Sequence, residues 1–465
     1  MPTAVYDLAA LLVVFAGLGT GVGLRDHAKA SAPAARHFPG LPAKPTSKPV
    51  AGPLHWLATA ALTIAVVAAL AIWNVSGTAT LVLALSGATV LVAIAWPIHR
   101  HARACATTNA AINAYAPRIA MPYAGKMLVH VGMWAPYVQR TGRPWCVVAS
   151  SPKLLAELAA IYDIPMIAGT LPVTVRVALY PHGSSKNTVF LAADGVEHVF
   201  LGHGDSDKPL SASERVLDYD IITVAGQAAI DRFDAAGLTV PPERIKVIGR
   251  PQTEGITRAT GPMSSIKVPT VLYAPTWRHG DDSLNLSSLI VGDKIVQALI
   301  DRGATVLFRR HFAGRNHVEA EAMIETIYDL LEQDAAATGH RHVWGEAASA
   351  ELPLVDAFNL SDAMICDVSG IVVDFMQSEK PFAMYAAQVP SGPELATEFR
   401  TAHPTAGSAY VIDRELFNLD TILNLMLGPD PLSPTRADRA AYYLGGNDRK
   451  EPAKRFIELV KALSG

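Results

Sequence analysis

The chain has 465 residues, room for two or three domains, and sets 39 Lys and Arg against 42 Asp and Glu for a net charge of −3. That balance excludes a protein drawn to nucleic acid by bulk charge. Charged residues are only 17% of the chain and apolar ones 50%, against roughly 25% charged in soluble domains, which points to membrane segments. The three cysteines, Cys105, Cys146 and Cys366, make neither a zinc spacing nor a disulfide framework, which suits a reducing compartment.

In chain order, Leu8 to Leu24 is apolar, and no basic residue precedes it. It is a poor signal peptide, and the reading is a transmembrane helix within 1–24. A Pro-rich linker over 25–53 follows, with Arg25, Lys29, Arg36, Lys44 and Lys48. Leu54 to Trp73 and Thr78 to Ile98 are uncharged runs of about the twenty residues a bilayer needs. Trp56, Trp73 and Trp96 stand near their ends, where aromatic belts form. This predicts a transmembrane hairpin over 54–98. Arg100 and Arg103 follow it, while its inner turn carries no charge. The positive-inside rule then places the linker and everything after Ile98 in the cytoplasm, as part of a multi-pass protein of the cell membrane.

From His99 to Tyr123 the composition is Ala-rich and predicts a helix. Lys126 to Val131, Pro144 to Ala149, Val196 to Leu201, Tyr219 to Val224 and Ile245 to Ile248 read as strands. Pro152 to Tyr162 and Gln227 to Ala236 read as helices between them. The Gly, Pro and Ser of Thr257 to Pro269 mark a linker, after which the alternation restarts. Val271 to Ala274, Thr305 to Phe308, Ala363 to Cys366, Phe382 to Tyr385 and Ala409 to Ile412 read as strands. Strands alternating with helices predict parallel sheets. We read an α/β chain with two Rossmann-like domains, 99–262 and 263–465, facing each other across a cleft, the second including the C-terminal helices.

Ligands of open α/β sheets bind beyond the carboxyl ends of strands, so the residues there are the candidates. Leu201-Gly202-His203-Gly204 with Lys208 puts an imidazole and an ammonium into one Gly-rich loop. Imidazole takes a proton near neutral pH, and ammonium supplies a point charge for phosphate. Arg309-Arg310-His311 gathers two guanidinium groups and a second imidazole, a set suited to phosphate oxygens; a solvated basic strand end would look the same. Asp367-Val368-Ser369-Gly370 precedes a helix and offers amide N–H groups and a hydroxyl, or an ordinary N-cap. Pro275-Thr276-Trp277-Arg278 offers a hydroxyl, an aromatic face and a guanidinium, although Trp277 would serve equally as core.

These motifs together resemble those of the CDP-glycerol glycerophosphotransferase family, the teichoic acid primases and polymerases. Tyr273-Ala274-Pro275-Thr276-Trp277-Arg278 is similar to its Tyr-Ala-Pro-Thr-Trp-Arg signature. His203-Gly204 with Lys208, Arg310-His311, Asp367-x-Ser369, Asp374-Phe375 and Lys380-Pro381-Phe382 to Tyr385 follow in the family's order. The chain departs from the pattern at Asp205-Ser206, Phe312 and Gly370, where the family has Thr-Pro, Pro and a second Ser. The resemblance covers Val196 to the C-terminus. It implies a GT-B fold and transfer of glycerol phosphate, or a related alditol phosphate, from a CDP donor. The acceptor would be a lipid-linked (polyprenyl diphosphate) or polymer hydroxyl at the membrane. On that reading His203 is the general base, with His311 the second candidate. Lys208, Thr276, Trp277, Arg278, Arg310, Asp367, Ser369 and Gly370 handle the donor's phosphates. CDP-glycerol is then a substrate, with no metal, no cofactor and no nucleic acid required. Two alternatives stand beside it: a GT-B glycosyltransferase using a nucleotide sugar, and a non-catalytic family member acting as a scaffold.

Overall fold

A computed structural model describes residues 31–41, 96, 98–204, 213–277, 285–311, 318–446 and 451–465. The span at 8–24 and all of the hairpin at 54–98 except Trp96 and Ile98 lie outside the described residues. Among the described residues, no helix is long and apolar enough to cross a membrane.

Residues 98–115 are helical. The helix stops short of the predicted Tyr123 because Pro117 follows: the residue before a proline is pushed out of the helical region, and Ala116 takes φ of 47°. The chain then enters a first sheet. Its strands are β1 (Ala34–Arg36), β2 (Ile119–Tyr123), β3 (Trp145–Ala149), β4 (Met166–Ala168), β5 (Val177–Tyr180), β6 (Glu197–Phe200), β7 (Ile221–Val224) and β8 (Ile245–Val247). The spatial order is β1-β4-β3-β2-β5-β6-β7-β8. All neighbours are parallel except β1, which lies antiparallel on β4 with Ala35 opposite Ile167. Part of the stretch read as a linker is thus an edge strand, and Phe38 just beyond it is buried.

The second sheet holds β9 (Thr270–Ala274), β10 (Thr305–Phe308), β11 (Ala363–Cys366), β12 (Phe382–Ala386) and β13 (Tyr410–Asp413). It is parallel throughout, in the order β10-β9-β11-β12-β13. Every residue of β2, β3, β11 and β12 is buried, as expected of parallel strands covered on both faces. In β9 the alternation sends Leu272 and Ala274 into one core and Val271 and Tyr273 into the other. Residues 257–269 join the sheets with only a short 3₁₀ turn at Met263–Ser265, as the composition predicts.

One expected strand is not one. Lys126 to Val131 runs into the helix Val129–Gln139, whose buried residues are His130, Val131, Trp134, Ala135 and Val138. That spacing is a helical stripe, read over too short a window as alternation. The last helix, Pro452–Ser464, lies against the first sheet rather than the second. Phe456 and Val460 are fully buried in its core, with the Phe456 ring 5.0 Å from that of Trp134.

The two halves also meet at a close backbone approach. A Cβ on Gly226 would lie 2.5 Å from the Tyr442 carbonyl oxygen, so only glycine lets the helix Ser433–Leu444 sit this near β7. Beside it, the Tyr442 hydroxyl donates to Asp231 Oδ2 at 2.6 Å.

Candidate active site

Each sheet has a topological switch point, where successive strands leave in opposite directions and a crevice opens at the carboxyl edge. In the first sheet it falls between β2 and β5, in the second between β9 and β11.

Three neighbouring strands, β2, β5 and β6, each deliver a histidine to the first crevice. His130 sits in the first turn of the helix after β2, His182 follows Tyr180-Pro181, and His203 follows Leu201-Gly202. Gly202 takes φ of 70°, a left-handed turn that glycine adopts without steric cost. Its carbonyl accepts from Trp134 Nε1 at 2.8 Å, which fixes the loop. The three rings are nearly parallel. Centroids lie 4.1 Å apart for His130 and His203, 5.3 Å for His182 and His203, and 5.5 Å for His130 and His182. Behind them the Tyr123 hydroxyl is 3.2 Å from His130 Nδ1.

All three imidazoles are biased towards the neutral form. Burial, then His203 and His182, pull His130 down to about 3, and burial lowers His182. Burial and then His182 lower His203 to about 4, with Arg250 acting the same way and the Pro181 carbonyl opposing. His203 is solvent-exposed. Water there moderates the shift, and the direction is what matters: the ring is unprotonated at neutral pH. A ring N–H facing the Pro181 carbonyl leaves the other nitrogen as the acceptor.

Arg250, in the loop after β8, crosses to the second half of the chain. Its Nη2 donates to Asp374 Oδ2 at 3.1 Å and its Nε pairs with Oδ1. Both side chains are at least nine-tenths buried. The pair ties the loop beside His203 to the helix Ile371–Met376 after β11, so the carboxyl edges of the two sheets are joined at this point.

At the second switch point the structure revises several expectations. Asp367 does not face a phosphate. It is fully buried, and its carboxylate accepts from Thr276 N at 2.6 Å and Ser288 N at 3.1 Å. It pins the loop after β9 to the turn at 287–288. Burial raises its carboxyl to about 7, so the folded state favours the protonated form. Stability from this group is full below about pH 4, the ordinary carboxyl value, and is lost as pH rises through about 7. We expect Asp367→Asn to flatten the fall in stability between pH 4 and 7, read as denaturant midpoints across that range; an unchanged slope would assign the pH dependence elsewhere.

Thr276 is buried, and its carbonyl accepts from Ser287 Oγ at 2.7 Å, so it too helps to build the loop. Trp277 is exposed rather than core, at 38%. Among the described residues Ser369 Oγ is buried without a hydrogen-bond partner, and Gly370 stands at the start of the six-residue helix Ile371–Met376.

At the end of β10, Arg310 is largely buried and directs its fork at Glu321, with Nη1 to Oε2 at 2.9 Å. It is therefore not a solvated basic end, and a phosphate reaching it must displace Glu321. Arg309 donates to the Ala348 and Leu352 carbonyls at 2.5 and 2.7 Å and serves as scaffold. His311 is half-buried beside them. Lys208 and Arg278 lie outside the described residues, as do Asp205, Ser206 and Phe312.

Among the described residues, Asp334, His340 and His342 group together as metal-ligand types. Asp334 Oδ2 is 2.8 Å from His340 Nδ1 and from His342 Nε2. His342 Nδ1 accepts the Val306 N–H at 2.9 Å. Its Nε2 therefore carries the proton and has no lone pair for a metal. The trio is a closed hydrogen-bonded set at the edge of the second sheet.

Sequence reasoning missed His130, His182, Arg250 and Glu321. For His182 a signal was present: Pro181-His182-Gly183 repeats the strand-then-His-Gly pattern of Gly202-His203-Gly204.

Two Rossmann-type sheets, parallel but for the edge strand β1, with switch points at their carboxyl edges and a buried tie between those edges, define a GT-B-like α/β fold. A family model described as CDP-glycerol:poly(glycerophosphate) glycerophosphotransferase matches residues 214–391, from just before β7 to just beyond β12. Over this segment the chain is similar to that family, as its motifs indicate. No curated protein matches the chain. Among solved structures it is similar to the wall teichoic acid polymerase TagF, with 12% identity, a TM-score of 0.45, and 75% of this chain and 88% of that chain covered. It is also similar to S. aureus MnaA with UDP, with 14% identity, a TM-score of 0.44, and 74% and 96% covered. A third is Anabaena HepE with UDP and glucose, with 12% identity, a TM-score of 0.41, and 75% and 100% covered.

Proposed function

We propose that the chain moves glycerol phosphate, or a related alditol phosphate, from a CDP donor to the hydroxyl of a lipid-linked or polymer acceptor, building a teichoic-acid-like envelope polymer. The reaction would take place at the cytoplasmic face of the cell membrane. The observation that carries this reading is the placement of His203: an exposed imidazole at a strand end of the first sheet, beside the buried Arg250–Asp374 tie that joins the two carboxyl edges.

The acceptor O–H gives its proton to the free nitrogen of His203 as its oxygen bonds to the donor's β-phosphorus. The bond from that phosphorus to the bridging oxygen breaks, and CMP leaves with the electron pair. Ser369 Oγ and neighbouring amides would stabilise the negative charge that accumulates, which is the main need in phosphoryl transfer. The negative donor raises the basicity of His203 once bound, which strengthens the base when it is needed.

Purified full-length protein, given a polyprenyl-diphosphate-linked acceptor and labelled CDP-glycerol, CDP-ribitol or UDP-sugars in turn, tests the reading. Transfer from a CDP-alditol supports it. Transfer only from a UDP-sugar makes the chain a glycosyltransferase, and donor binding without transfer makes it a scaffold.

Arg310 gives a second test. If its fork exchanges Glu321 for donor phosphate, Arg310→Ala weakens CDP-glycerol binding by about 1.5–3 kcal/mol, the worth of a charged hydrogen bond. Glu321→Ala tightens it by freeing the fork. Calorimetry showing equal affinity in both variants and the wild type would leave Arg310 as scaffold. For topology, a C-terminal reporter should score as cytoplasmic; an extracytoplasmic score would overturn the membrane placement.

A further inference from the structure

We propose that His130 and His182 are positioning residues for His203, clamping its ring in a three-imidazole stack with room for one proton. This rests on the reading of His203 as the base. Three adjacent strand ends converge here, and each supplies one ring, so the stack is built by the sheet itself rather than by a single flexible loop. The rings are inclined to one another by only 14° to 23°, which holds His203 in one plane while the residue stays exposed.

Among the described residues, the groups that face His203 can be named. His130 comes from the helix after β2 and His182 from the loop after β5. Arg250 comes from the loop after β8, and the Pro181 carbonyl from the chain beside His182. Tyr123 stands behind His130. Apart from that carbonyl, none of these described groups favours an imidazolium at His203. Two positive rings 4.1 Å apart would repel strongly enough to disfavour the second proton about a thousandfold at an effective dielectric near 20. The stack therefore keeps His203 unprotonated between turnovers and takes up only the one proton that leaves the acceptor. Among the described residues His182 Nδ1 is buried without a hydrogen-bond partner, and the ring stacks on both His130 and His203.

Removing a ring lets water in and removes a competing proton site, so His203 should take a proton at higher pH. Diethyl pyrocarbonate acylates only the unprotonated imidazole. The rate at which it modifies the His203 peptide between pH 4.5 and 8, followed by mass spectrometry on the full chain, reads that proton directly and needs no substrate. We expect a wild-type midpoint at or below about pH 5, and a rise of about one pH unit or more in His182→Ala and in His130→Ala. Where an alanine variant does not fold, the corresponding Gln variant, planar and non-titrating, takes its place with the same expected direction. An unshifted midpoint in the folded variants would overturn the proposal and leave the stack as packing. The base reading fails separately: it falls if His203→Ala retains turnover, whatever the modification midpoints show.

Discussion

Replacing His203 by alanine lowers turnover by about 10²–10⁴-fold, the usual contribution of a positioned general base, and leaves donor affinity nearly unchanged. The split follows from where the ring sits. His203 belongs to the first sheet, whereas Ser369, Gly370 and Arg310 belong to the strand ends of the second. An alcohol is a weak nucleophile until its proton is taken, so the loss falls on the chemical step and not on donor binding. Fold stability should hardly change, because the residue is exposed and its loop is fixed through the Gly202 carbonyl and Trp134. Single-turnover kinetics with labelled CDP-glycerol separate the steps. Full turnover in the variant would end the assignment and pass the role to His311.

Asp374→Ala destabilises the protein by about 3–5 kcal/mol, the cost of leaving one partner of a buried ion pair uncompensated. Arg250 has its Nε and Nη2 on that carboxylate, and both side chains are at least nine-tenths buried, so water cannot take over the lost bonds. The double variant Arg250→Met with Asp374→Leu removes both charges, and about the wild-type stability should return, since apolar replacement of a buried pair is often neutral or better. Denaturant midpoints for the single and double variants decide this. If Asp374→Ala unfolds where the wild type does, the pair is not a fastener between the halves.

The contrast between these two residues shows what the sequence makes legible. His203 follows an apolar run and a glycine, so its place at a strand end could be read from local pattern. The same holds for β11, whose bounds Ala363–Cys366 match the reading, and for the alternation that implied two parallel sheets. Arg250 and Asp374 are 124 positions apart, and no local spacing announces such a pairing. Asp367 shows a subtler limit. Its position was right, but an N-terminal cap, a phosphate ligand and a buried loop anchor all use an acidic residue there. Only the amides of Thr276 and Ser288 that point at it decide among them. Arg310 shows the same limit, since its partner Glu321 lies beyond a stretch where sequence pattern fixes no geometry. The histidine stack was missed because strand order, not sequence order, makes neighbours of β2, β5 and β6.

The helix Pro452–Ser464, packed on the first sheet, bears on how the chain is made. Translation delivers domains from the amino end, at about 5–20 residues per second. Strands β2 to β8 are complete by Val247, yet Phe456 and Val460, fully buried beneath Trp134 and its neighbours, emerge some two hundred residues later, on the order of ten seconds or more at that rate. Until then the nascent first sheet carries an uncovered apolar face on the ribosome, a natural point of engagement for chaperones. A chain truncated before Pro452 should accumulate in just that state, bound by holdases and prone to aggregate, even though every strand of both sheets has been synthesised.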